Sequence, residues 1–276
     1  MRLNHAMQAL SAVAGREVVK FVRQSGRLLS AMARPMLWLL VFAAGSRAIL
    51  GMSIVPPYET YIEYSVYIIP GLLGIVLLFH GMQSSLSMVY DREMGMMRLL
   101  LTAPLPRWYL LLCKLTAGTI LSVLQAYAFL LICIGLTYVI PWFEATIPWS
   151  GWLYLLPAMA VSSMMLGSLG LLLAAHIRQL ENFAGTMNFV IFPMFFISSA
   201  LYPLWTLLEG GAIQLYWLAL ANPFTHAVEF IRFAAYGKFN GISLVVIVTC
   251  GLAFFLAAAI SYDPQRGSIR RTPRQG

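Results

Sequence analysis

A chain of 276 residues that is 60% hydrophobic and only 10% charged lies outside the composition of a soluble domain, in which about 25% of residues are charged. Burial in a soluble core is excluded as the destination of so much apolar surface, so the bilayer is expected to be the solvent for most of it. The formal charge of +8 would suit a nucleic-acid partner, but the basic residues fall between and beyond long apolar runs, which argues for a membrane and no nucleic acid.

Taken in chain order, residues 10–27 are predicted to form an amphipathic helix. Arg16, Lys20, Arg23 and Arg27 are spaced four, three and four apart and share one face, while Val18, Phe21 and Val22 lie away from it. Such a helix rests along a membrane surface; packing against cytoplasmic loops is the alternative. A first crossing is expected around 28–50. Arg34 and Arg47 bracket its short uncharged middle, so both are expected to snorkel outward to the two interfaces. The uncharged stretches 64–90, 115–143, 145–177, 182–208 and 239–262 each exceed the roughly 20 residues that a helix needs to cross the hydrocarbon core. A backbone in lipid must satisfy its own hydrogen bonds, which favours helices here. The expected fold is an all-α polytopic membrane protein with six transmembrane helices, forming one membrane domain over 1–276.

With both termini on the cytoplasmic side, fifteen of the 18 basic residues lie inside, and only Arg47, Arg232 and Lys238 lie outside. The ten acidic residues divide evenly, so Lys and Arg alone carry the bias, as the positive-inside rule expects. The connection 53–63 carries Pro56-Pro57, and 141–151 has Trp142, Trp149 and Trp152 in or beside it, which suit an interfacial aromatic belt. Ser163, Gly167 and Gly170 form a strip of small residues for close helix approach, within the chain or across a dimer. Residues 216–236 are apolar enough for a seventh span. That span would hold His226, Glu229 and Arg232 at membrane depth, at about 2.5–3.5 kcal/mol for a lone charge, and Asn222-Pro223 would break its helix. The segment 205–238 is therefore expected to dip into the outer leaflet and return.

Cys113, Cys133 and Cys250 stand at unrelated spacings and predict neither disulfides nor a metal site. No G-x-x-x-x-G-K-[ST] phosphate loop and no H-E-x-x-H occurs, and His5, His80, His176 and His226 are scattered. Gly167-Ser168-Leu169-Gly170 has its serine one place away from the pattern of an intramembrane serine protease, and no span holds the carboxylate chain of a proton-driven carrier. No catalytic residue, metal site or cofactor is expected in this chain.

The loop 90–105 is the chain's most distinctive stretch. Asp91, Arg92, Glu93 and Gly95 lead into Met96, Met97 and Arg98, then three leucines, Pro104 and Pro106. A short helix with a Met/Leu face and a proline stop can seat a flexible apolar knob in a partner; a solvated turn joining two spans is the alternative. Asp91-Arg92-Glu93-Met94-Gly95, Leu99-Leu100-Leu101, Pro104-Leu105-Pro106-Arg107 and Lys114 resemble the inner loop of type-2 ABC exporter permeases. Ala221-Asn222-Pro223 through Val228-Glu229 and Arg232 is similar to that family's stretch before the last span, and Pro193, Ser198-Ser199 and Tyr202-Pro203 resemble its fifth span and following turn. Arg98 stands where many relatives carry an acid, and Cys113 where a glycine is common.

The resemblance implies a permease dimer, most simply a homodimer, in the cell inner membrane among membrane lipids. Each copy would bind a separate ABC ATPase subunit that holds ATP and magnesium. Asp91, Arg92, Glu93, Gly95, Met96, Met97 and Arg98 would contact the ATPase through a cytoplasmic coupling helix between spans two and three. Asn222, Pro223, His226, Glu229 and Arg232 would shape an outer gate in the re-entrant segment, or form a purely structural pair and cap. The cargo would be hydrophobic or amphipathic: a drug, a lipid or a lipid-linked glycan. A non-transporting membrane scaffold or assembly factor and a membrane-embedded lipid-modifying enzyme are the rival readings.

Overall fold

The computed structural model describes residues 3–23, 25–46, 56–59, 62–93, 106–140, 143, 147–177 and 179–262. Among the described residues there are ten helices: α1 (Leu3–Arg23), α2 (Ser25–Ser46), α3 (Tyr64–Glu93), α4 (Arg107–Val139), α5 (Trp149–His176), α6 (Leu180–Phe196), α7 (Trp205–Glu209), α8 (Ile213–Ala221), α9 (Pro223–Ala235) and α10 (Gly241–Ser261). The long helices begin where proline or an amide cap lets them. Pro106 and Pro148 stand just before α4 and α5, and Asn240 caps α10 by accepting a hydrogen bond from the Ser243 amide. Gly237, at φ +67°, turns the chain between α9 and α10 in a conformation that side-chain-bearing residues rarely adopt.

Among the described residues, four helices are long and apolar enough to cross a membrane: α3, α4, α5 and α10. The other two expected crossings are not among these four. α2 offers a shorter apolar stretch, Ala33–Phe42. The uncharged run 182–208 is not one helix: α6 has 17 residues and stops at Phe196, after which the chain turns through buried Ser198, Ser199 and Ala200. The amino-terminal helix starts at Leu3 rather than at residue 10 and ends at Arg23, so Arg27 belongs to α2. The predicted break at Asn222-Pro223 is present as the boundary between α8 and α9.

α3 is the central pillar. It packs against α2, α4, α5, α6 and α9, and Tyr64 through Leu78 are buried without interruption. Lipid is as apolar as leucine, so close packing must hold such helices together, and small residues set how closely they approach. The strip on α5 serves this purpose within the chain. A Cβ on Gly81 of α3 would sit 3.1 Å from the Gly167 amide nitrogen, and one on Gly170 would sit 2.6 Å from Ser85 Oγ. Nearer the Tyr64 end, a Cβ on Gly71 would fall 2.1 Å from the Ala200 carbonyl oxygen.

Candidate functional site

Two clusters of polar side chains stand at opposite ends of the bundle, and each joins elements far apart in sequence. At the Glu93 end of α3, Asp91 and Arg92 face inward. Asp91 Oδ2 meets Lys114 Nζ of α4 at 2.6 Å, with both side chains largely buried. Arg92 Nη1 lies 3.5 Å from the Ile177 carbonyl oxygen just beyond α5, and its guanidinium lies 5.9 Å from the Tyr262 ring centre. Glu93 is exposed. The expected contact residues therefore divide. Asp91 and Arg92 are held by the chain itself as the last turn of α3, Glu93 is presented outward, and Gly95, Met96, Met97 and Arg98 lie outside the described residues. Beside this end, a cavity of about 200 Å³ opens between α1 and the neighbouring ends of α3 and α4, with Arg16 and Lys114 in its wall.

At the other end, α9 lies across α3, α5 and α10. The Asn222 side chain does three jobs. Its Oδ1 accepts from the Phe224 amide and caps α9, while its Nδ2 donates to the Met194 and Ile197 carbonyl oxygens, both at 2.7 Å. Those two carbonyls end α6 and have no helical partner of their own. Pro223 opens α9 at the position where its missing N–H costs nothing. His226 Nε2 lies 2.9 Å from the Leu220 carbonyl oxygen across the break.

Arg232 is the largest fully buried side chain, 1% exposed. Its Nη1 pairs with Glu229 one turn earlier, its Nη2 donates to the Ser199 carbonyl oxygen at 2.8 Å, and its guanidinium lies 4.1 Å from the Tyr67 ring centre. Tyr67 in turn donates to Ser199, and Tyr64 donates to the Leu201 carbonyl oxygen. The turn after α6 is thus held by α3 and α9 together. Burial pushes the Tyr58 hydroxyl well above its ordinary range, with the Arg232 charge opposing it. Lys238 closes this end by bonding the Pro57 carbonyl oxygen and Glu59.

The five residues expected at a gate are therefore brought together on α9 and its cap. Sequence reasoning missed Tyr64 and Tyr67, and named Ser199 only for its resemblance to the turn after the fifth span. The signal was present in two tyrosines three apart inside an apolar run, since each buried hydroxyl needs a partner. The Arg34 guanidinium lies 4.2 Å from the ring centre of Phe79 on α3. The cation gains the ring's negative face there. Arg47 lies outside the described residues.

A bundle of long apolar helices with its few charges paired at both ends defines an integral membrane protein. Residues 8–236 match the family model described as ABC-2 type transporter, and the chain belongs to that family. It is similar to the transport permease ycf38 of Cyanophora paradoxa, 29% identical over 230 residues that cover 82% of this chain and 74% of the relative. The proteins of the same name from Pyropia yezoensis and Porphyra purpurea are 27% and 26% identical, with the same coverage of each chain. The chain is thus a transporter's membrane subunit rather than its ATPase, and membership implies an ABC ATPase partner in general.

Proposed function

We propose that this chain is the permease subunit of an ATP-driven exporter in the cell inner membrane, with six crossings, both termini cytoplasmic and two copies forming one pathway. A separate ABC ATPase binds ATP and magnesium and supplies the force. The cargo is hydrophobic or amphipathic, of the kind represented by drugs, lipids and lipid-linked glycans.

The observation that carries this reading is the Asp91–Lys114 pair. It fastens α3 to α4 on either side of residues 94–105, so a push on that loop moves two long helices as one body. α3 packs against α2, α4, α5, α6 and α9, which would spread the motion through the bundle. Glu93, Gly95, Met96, Met97 and Arg98 form the surface that the ATPase grips, while Asp91 and Arg92 pass the load inward. At the outer end, Asn222, Pro223, His226, Glu229 and Arg232 hold α9 on the turn after α6, so that the gate moves with α3.

The test is purification of the tagged chain with its ATPase, followed by export and ATPase measurements. An ATPase recovered in equal amount is the expected result, with Glu93→Ala and Gly95→Pro retaining the complex but losing export. Normal export in both variants would remove the coupling assignment. Recovery of the chain without any nucleotide-binding partner would remove the transporter mechanism.

A further inference from the structure

We propose that the cavity between α1 and the adjoining ends of α3 and α4 is a resident-lipid site. It takes the upper part of one acyl chain of an anionic phospholipid, with the lipid phosphate on Arg16. The inference goes beyond transport and does not depend on the cargo.

The wall of this cavity is built where three helices leave their uncharged runs. Met88 of α3 stands three residues before Asp91, and Leu110 and Leu111 of α4 stand within about one turn of Lys114. Tyr262 follows α10 and precedes Asp263 in the sequence. Uncharged runs of this length end where hydrocarbon gives way to head groups, and all three end beside the same cavity. α1, which packs on α4 and α2, closes the remaining side with Val13, Arg16 and Glu17.

The cavity encloses about 200 Å³. At roughly 30 Å³ for a group the size of water, it has room for about six or seven methylenes. Val13, Met88, Leu110 and Leu111 give its wall an apolar character, which suits a hydrocarbon better than water. The charged residues in the wall are Arg16, Lys114 and Glu17, two cations against one acid. Behind them Asp91 and Arg92 cancel, Asp91 pairing with Lys114 and Arg92 approaching the Tyr262 ring. The Arg16 side chain is 56% exposed, and its contact with Glu17 is a 3.4 Å approach between sequence neighbours. Such a surface contact holds a guanidinium weakly, so its fork can take a phosphate at two points. A soluble anion would use Arg16 and leave the apolar hollow unfilled, and a plain hydrocarbon would do the reverse. An anionic lipid at the interface satisfies both, as at basic hollows between membrane helices.

The probe is phosphatidylglycerol with a diazirine among the first carbons of one acyl chain, added to the full-length protein in a nonionic detergent. After photolysis, labelled residues are mapped by mass spectrometry. Saturable labelling is expected at Val13, Met88 and Leu111. Unlabelled phosphatidylglycerol should suppress it at about fivefold lower concentration than phosphatidylcholine with the same chains, and inorganic phosphate should leave it unchanged. Arg16→Gln should remove the difference between the two lipids. Val13→Phe, which fills the hollow, should lose the labelling at Met88 and Leu111.

Equal competition by the two lipids on the unmutated chain would overturn the proposal, and that comparison needs no variant to fold. Suppression by inorganic phosphate would overturn it too, because the site would then belong to a soluble anion. Labelling at the exposed Leu153 and Leu252 as strong and as saturable as at Met88 would reduce the result to general lipid contact. Unchanged labelling of Met88 in Val13→Phe would put the acyl chain elsewhere and sink the assignment. The measurement uses the permease alone, so it is independent of whether an ATPase co-purifies.

Discussion

Asp91 of α3 and Lys114 of α4 form a 2.6 Å ion pair that fastens the end of one helix to the first turns of the next. Both side chains are largely out of water, and removing one partner from such a pair leaves the other charge stranded. Asp91→Asn or Lys114→Met is expected to destabilise the protein by on the order of 3 kcal/mol, read by denaturant unfolding in detergent followed by circular dichroism. The swapped pair Asp91→Lys with Lys114→Asp should recover more than half of that loss. If the swap is no better than either single change, the pair is not the clasp.

The other ion pair should behave differently under the same test. Arg232 pairs with Glu229, donates to the Ser199 carbonyl oxygen and lies on the Tyr67 ring. Exchanging the charges would aim a carboxylate at a carbonyl oxygen and at the negative face of an aromatic ring. Glu229→Arg with Arg232→Glu is therefore expected to be no more stable than Arg232→Gln alone, in the same unfolding measurement. Recovery in the swap would reduce the arrangement to a simple charge pair.

Asn222 separates capping from carbonyl satisfaction. Asn222→Asp keeps an acceptor for the Phe224 amide but replaces two N–H donors with a carboxylate facing the Met194 and Ile197 oxygens. Asn222→Ala loses the cap and the donors together, at roughly 2 kcal/mol or more. Asn222→Asp should cost at least as much as Asn222→Ala even though aspartate is a good cap in isolation. An aspartate variant as stable as wild type would show that the cap alone matters.

Glycine replacements distinguish contact from propensity. Gly71→Ala would drive a methyl into the Ala200 carbonyl, and Gly151→Ala would do the same at Ala235, where the gap is 2.0 Å. Both should reduce folded yield several-fold in size-exclusion profiles. Gly135→Ala on α4 meets nothing within 4 Å and should be neutral, or stabilising by about 0.5–1 kcal/mol.

Orientation can be read by thiol labelling from either side of sealed vesicles. The native thiols at Cys113 and Cys133 are buried and that at Cys250 is half-buried, so a background with all three replaced by serine is the reference. A cysteine at exposed Glu93 is expected to label only from the cytoplasmic face, and one at exposed Glu209 only from the outer face. Labelling of both from one face would reject the six-crossing arrangement.

Local chemistry by itself determined the removal of most of the chain from water, because a stretch of some 20 uncharged residues has no other stable solvent. It also determined the break at Asn222-Pro223, where a missing N–H and a capping amide act within a few residues. Family membership was legible in the loop and in the α9 stretch because those motifs are short and contiguous. Which way each helix faces was not legible, since a helix apolar on every side carries no preferred rotation in its sequence. Only the packed bundle turned the small strip of α5 onto α3, drew Asp91 and Arg92 inward while leaving Glu93 outside, and set Arg34 over Phe79. Each of these depends on a contact with a residue 23 or more positions away, and that partner is fixed by the approach of whole helices rather than by any local pattern.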